Sequence, residues 1–180
     1  VEFGNLYIRF FKDKGQITEG DKTITGITNA NPGVVTATSH GYSNGDFVIL
    51  SSLAGITEVN GITYKVANKA TNTFELNDVD GNAVDTATSG PYSTYTSGGV
   101  ANRIYQITTS YTTAQIPDLK FAQSADVMFI CHNSHEVSKL SRTGHTSWTL
   151  SEVDFAETGP YLSANTTATT LTPASSGTGT

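Results

Sequence analysis

The sequence predicts an all-β protein in two parts, and three observations carry that prediction. Hydrophobic residues make up 37% of the 180 and charged residues only 14%, with Gly, Ser, Thr and Asn plentiful, the profile of a turn-rich β protein. Strong turn dipeptides recur, at Asn44-Gly45, Asn60-Gly61 and Asp80-Gly81, where residues that tolerate positive φ reverse the chain. Between them lie short runs that alternate apolar and polar residues, the period of a half-buried strand.

Taken in order, "FGNLYIRFF" and "KDKGQIT" read as two strands around a Lys-Asp-Lys-Gly turn. Leu6, Ile8 and Phe10 alternate with Tyr7, Arg9 and Phe11, which predicts one buried and one mixed face. From residue 22 to residue 100 the style changes to short Thr/Val/Asn/Gly strands. "GVVTATSHGYSNGDFVIL" puts a Ser-Asn-Gly-Asp turn between two strands and carries a hairpin signal. "NG" then precedes strands at Thr63–Val66 and Thr73–Leu76, "DVDGN" turns again, and "TSGPYSTYTSGG" closes the unit. Four or five strands at this spacing predict a small barrel or sandwich.

Beyond Gly99 the earlier style returns. "RIYQITTSY" reads as a strand. "TTAQIPDLKFAQSAD" is the one passage with helix-like spacing, and Pro117 with Asp118 suits a short helix or 3₁₀ turn through Leu119 and Phe121. Three strands follow, over Ala125–His132, Val137–Ser141 and Ser147–Phe155. Residues 22–100 are therefore expected to interrupt a scaffold formed by 1–21 and 101–165, pieces too small to build cores separately. Residues 166–180, a charge-free Thr/Ser/Gly tract, read as a linker or the start of a further segment. Both ends look like cuts through a longer chain.

Composition also excludes classes of function. The net charge is −6, and the ten Lys and Arg form no basic run, so no nucleic-acid partner is expected. No apolar run reaches the roughly 20 residues of a spanning helix. The single cysteine rules out an internal disulfide.

Two passages resemble known families. "DLKFAQSADVMFI", "KLSRTGHTSWTL" and "GPY", with "EFGNLYIRFF" upstream, resemble segments of bacteriophage tail proteins of the nozzle, or tail tubular protein B, type. Where those segments carry a proline-containing turn after the His, this chain has "NSHEV". The inserted "HGYSNGDFVIL…VNGITYKVANKATNTFEL…YTSGG" resembles the β module named after the first catalytic cysteine half-domain of ubiquitin-activating enzymes. The resemblance implies a discontinuous β-propeller-like (blade) scaffold, oligomeric around a tail axis, with the module displayed outward. It implies a virion component, made in the host cytoplasm, that associates with itself and with other tail proteins. It does not imply ubiquitin chemistry, because Cys131 lies outside the module.

Candidate sites are weighed on this basis. Cys131, His132 and His135 raise the question of a metal, but successive strand side chains point to opposite faces. Val127, Phe129 and Cys131 share one face, and Met128, Ile130 and His132 the other, so the expectation is no metal and no cofactor. Cys131 is read as a buried, inert thiol, and the histidines as residues of a strand end and polar turn. Asp78 and Asp80 lack the spacing of a calcium loop and read as a β-turn. Glu152 and Asp154, with Glu157 nearby, read as a solvated face. Trp148 is expected to anchor the scaffold core, and Arg142 and His145 to bracket a turn. No G-x-S-x-G elbow or phosphate loop appears, and no catalytic residue is assigned. Tyr92 and Tyr95, among Ser and Thr, are the candidate glycan or partner contacts. The expected function is a ring-forming structural component of a phage tail without catalysis, the alternative a receptor- or glycan-binding module of such a tail.

Overall fold

A computed structural model describes residues 1–154. The expected strand end at Phe155, Glu157, the scaffold's limit at 165 and the 166–180 tract lie outside the described residues. The chain forms short strands in the order β1 (Glu2–Gly4), β2 (Tyr7–Arg9), β3 (Phe11–Lys12), β4 (Gly15–Gln16), β5 (Lys22–Thr23), β6 (Gly26–Ile27), β7 (Val34–Thr36) and β8 (Phe47–Ala54). There follow β9 (Thr63–Ala67), β10 (Thr73–Asn77), β11 (Ser97–Arg103), β12 (Gln106–Thr108), β13 (Lys120–Ser124), β14 (Val127–His132), β15 (His135–Gly144) and β16 (Ser147–Glu152). The all-β class is as expected.

The largest sheet has seven strands in the order β5-β11-β8-β9-β10-β7-β6. Its two edges are consecutive in sequence. Ile24 donates its amide to the Gly99 carbonyl (2.9 Å), and Thr25 donates to that of Thr36 (2.9 Å). Residues 22–27 thus pair with β11 on one side and β7 on the other, so the sheet curls round and meets itself. Curling converts alternation into an inside and an outside. Tyr64 and Val66 of β9, Phe74 and Leu76 of β10, and Val48 and Leu50 of β8 point inward with Ile24, Val35 and Ala101, all buried.

The second core lies between the remaining sheets. Ile8, Phe10, Tyr111, Leu119, Ile130 and Leu140 are buried together, with Trp148, Met128 and Leu150 packed against them. On one side is the three-stranded β1-β2-β12 sheet; on the other is β13-β14-β15-β16, a four-stranded antiparallel meander. No ring of such sheets is present among the described residues, so the fold is all-β at the level the structure reaches.

Several expectations need correction. The Ser-Asn-Gly-Asp turn forms, with the Ser43 amide donating to Asp46 Oδ2 (2.8 Å) and Gly45 at φ 94°. However, β7 and β8 are not hairpin partners: β7 pairs with β10 and β6, and β8 with β11 and β9. Leu6 sits at the β1–β2 turn at φ 65° and is exposed, while Ile8 and Phe10 are buried as expected. The 3₁₀ turn is only Ile116–Asp118. Phe121, expected to extend it, lies in β13, a strand that the alternation rule passed over because all five of its residues are exposed. Strand β11 runs unbroken from Ser97 to Arg103, so residues 100 and 101, placed in different parts above, are neighbours in one strand.

Candidate functional site

The His-rich tip is a hairpin. His132 and His135 face each other across the β14–β15 ladder, with Asn133 and Ser134 as its turn and ring centroids 5.2 Å apart. His132 Nδ1 accepts from the Ser134 amide (3.1 Å), which leaves its proton on Nε2. His135 Nδ1 lies 3.4 Å from Ser110 Oγ, and its ring meets that of Tyr111 edge-on. Tyr111, buried, donates to Ser138 Oγ (3.0 Å). Cys131 points to the opposite face, as alternation requires, but the expectation of burial is overturned: the thiol is exposed. Its neighbours Phe129 and Ala122 are exposed too, because nothing among the described residues covers that face of the sheet. No group of three or more His, Cys, Asp or Glu able to hold a metal occurs among the described residues.

Tyr92 and Tyr95 are less exposed than their Ser/Thr-rich setting predicts, since both are half-buried against the barrel core. The Tyr95 hydroxyl donates to the carbonyls of Gly98 (3.1 Å) and Ile24 (3.3 Å). Tyr64 is pushed well above the ordinary phenol range by burial, and Tyr92 beside it adds to the shift. Glu58 Oε1 accepts from Ser93 Oγ (2.7 Å); a hydrogen bond from its own backbone amide, and after it the one from Ser93, holds its carboxyl below the usual range. The loop carrying the two tyrosines is thereby fastened at Glu58 and at Gly55, where a Cβ would meet the Thr94 carbonyl oxygen at 2.1 Å.

Asp78 caps its own turn, accepting from the amides of Asp80 (3.0 Å) and Asn82 (2.8 Å) and from Asn82 Nδ2 (2.9 Å). Glu152 and Asp154 are both exposed. Trp148 stacks on Phe10 with centroids 4.1 Å apart and donates Nε1–H to the His145 carbonyl (3.0 Å). This fixes the β15–β16 turn bracketed by Arg142 and His145.

Sequence reasoning missed two arginines. Arg103, at the end of β11, ties down the segments that lead into the neighbouring β5 and β8: its guanidinium donates to Glu19 Oε2 (2.9 Å from Nε, 2.5 Å from Nη2) and to Asp46 Oδ2 (3.0 Å). The Glu19 bond is the main reason its pKa is raised further. Beside it the buried Tyr42 hydroxyl donates to the Ala101 carbonyl (2.8 Å). Burial pushes that phenol up to about 12, with Arg103 acting against the rise. Arg9 lies where β2 meets the curled sheet, between the rings of Tyr7 (4.3 Å) and Phe47 (4.4 Å). No local pattern marks the full set of contacts, because Glu19 and Asp46 lie far from Arg103 in sequence, and Phe47 and Gln106 far from Arg9.

The curled sheet with its own buried cluster is the part that comparison recognises. Residues 30–104 match the ubiquitin-activating enzyme E1 FCCH domain. No curated protein matches the chain. The FCCH match takes in β7 to β11 and ends just past Arg103, so its C-terminal limit follows the strand rather than the change of style at residue 100. Residues 22–27, which close the curled sheet, lie before the match, and Cys131 lies well after it. No helix of the described residues is long and apolar enough to cross a membrane.

Proposed function

We propose that this chain is a non-catalytic structural component of a bacteriophage tail, nozzle- or hub-like, which assembles side by side into a ring. The observation that carries the reading is the β13–β16 meander. It presents a regular edge at β13, with five uninterrupted pairs to β14 and no residue buried on it. Natural proteins normally guard such an edge with a charged residue, a proline, a bulge or a covering loop, and among the described residues Lys120 is the one such device in β13. Phe121 is 50% exposed and Phe129 is 37% exposed. Strand β16 lies at the other end of the same sheet, so the sheet has two different borders, the β16 one partly engaged by Tyr105, whose hydroxyl accepts from the Trp148 amide. Contacts between unlike surfaces close into rings when the rotation from one copy to the next closes, and four-stranded antiparallel sheets are the units from which propellers are built. The resemblance of "DLKFAQSADVMFI" and "KLSRTGHTSWTL" to tail proteins falls on this same sheet and supplies the virion setting. The inserted module then decorates or braces the ring. The glycan-binding alternative draws no added support from Tyr95, whose hydroxyl proton is directed at backbone carbonyls.

Electron microscopy of the full-length protein, with mass spectrometry of virions, tests the proposal. Rings in the first and the protein among virion components in the second are expected. A protein that stays monomeric at high concentration and is missing from virions would sink it. Ala122→Glu with Phe129→Glu, both on the exposed face, is expected to abolish rings while leaving the monomer folded.

A further inference from the structure

A cleft of about 380 Å³ opens between the β3–β4 hairpin and the β13–β16 sheet, outside the matched module. Its floor is apolar, formed by the half-buried Ile17, Met128 and Trp148, with the buried Phe10 and Leu140 beneath them. Its rim is charged, with Lys12 on one wall and Arg142 and Asp126 on the other. Pockets of this volume with an apolar floor and a few polar groups are the usual form of small-molecule sites.

The charges decide what such a site would take. Asp126 Oδ1 accepts one bond from Arg142 Nη1 (3.2 Å), and no other acceptor binds that guanidinium among the described residues. Its Cζ lies 5.8 Å from the Trp148 ring centroid, which holds the group over the floor. Lys12 is 3.6 Å from Asp13, but both side chains are largely exposed, at 54% and 84%. A pair of that kind is weakly held and readily exchanged. Among the described residues the rim therefore offers the side chains of Lys12 and Arg142 against one carboxylate, in a chain whose net charge is −6. A neutral apolar ligand would leave those cations unused, and a dication would be repelled by them.

We infer that this cleft binds an amphipathic monoanion: an apolar body on the Met128–Trp148 floor, with a carboxylate or similar head bound by Lys12 and Arg142. Trp148 is the only tryptophan of the chain and lines this cleft, so it serves as the energy donor, while the competitors and the Lys12 and Arg142 variants assign the signal to the cleft. The probe is 8-anilinonaphthalene-1-sulfonate, titrated into the folded full chain and followed by energy transfer from Trp148. Decanoate and decanol serve as competitors of equal chain length and different charge. The expected result is saturable transfer that decanoate reverses at least about tenfold more effectively than decanol, the factor for one charge-assisted hydrogen bond. Lys12→Gln, at an exposed position, is expected to weaken dye binding by a similar factor, and Lys12→Gln with Arg142→Gln to abolish it. Equal competition by decanol, unsaturable transfer, or unchanged binding in Lys12→Gln would overturn the inference. None of these outcomes depends on whether rings form.

Discussion

Arg9 brings a full charge to a position only 8% exposed, with no carboxylate in salt-bridge range among the described residues. Its Nε donates to Gln106 Oε1 (3.1 Å), and its Nη2 is buried without a partner. What replaces an anion is a pair of aromatic faces, Tyr7 and Phe47, and each such contact contributes on the order of 1 kcal/mol when desolvated. Tyr7 itself lies flat on Gly4, where a Cβ would fall 2.0 Å from the ring. The stack therefore depends on a missing side chain, on a planar cation and on a ring from the curled sheet. Lysine keeps the charge but not the plane or the Nε bond. Arg9→Lys is expected to lower stability by about 1–2 kcal/mol in urea unfolding. Arg9→Met, which fills the same space without a buried charge, is expected to cost less. If lysine were the milder change, the charge rather than the stacked plane would be what holds the two sheets together.

Among the elements, the Asp78 turn offers the clearest dependence on pH. Its carboxylate accepts three hydrogen bonds, and the Asn82 side chain is the largest cause of its lowered pKa, followed by the Asn82 amide. Because the folded value lies below the ordinary 3.8, the stabilisation is present above that pH and is lost as pH falls through the folded value. Asn82→Ala is expected to raise the Asp78 pKa toward its ordinary value, as read by carboxylate titration in NMR. An unmoved titration would assign the shift to the backbone amides alone. This turn was legible from "DVDGN", as was the β9–β10 pair, since turn chemistry and alternation are local. The wrong hairpin partner for β7 and the overlooked β13 were not legible. Sheet order depends on where the chain closes round, and an exposed edge strand has no apolar period to reveal it. The same limit applied to the candidate site. Alternation placed Cys131 and His132 on opposite faces correctly, but it could not tell which face would be left uncovered. The tyrosine pair was found by composition, and its fastening through Glu58 and Gly55 required the fold.

At the scale of the whole molecule, the curled sheet has the organisation of an independent unit. Its buried cluster is drawn entirely from residues between Ile24 and Ala101, and its edges are joined through residues 22–27. Chain entry and exit are adjacent: the Glu19 amide donates to the Arg103 carbonyl (2.8 Å), and Asp21 accepts from Asn102. An excised fragment of residues 19–104 is therefore expected to fold cooperatively, with dispersed amide NMR signals and a single unfolding transition. It loses the Arg9 contact on Phe47, so its stability is expected to fall by only about 1–2 kcal/mol. Tyr42 provides a check that the native core has formed. Its folded pKa of about 12 exceeds the ordinary 10.0, so the folded state holds that proton more tightly than the unfolded chain does. Stability should be insensitive to this group below pH 10 and decline as pH rises from there through 12. Tyrosinate absorbance of the fragment should accordingly show Tyr42 and Tyr64 ionising late. A fragment whose tyrosines all titrate near 10, or one without dispersed amides, would mean that the curled sheet needs the flanking sheets in order to fold.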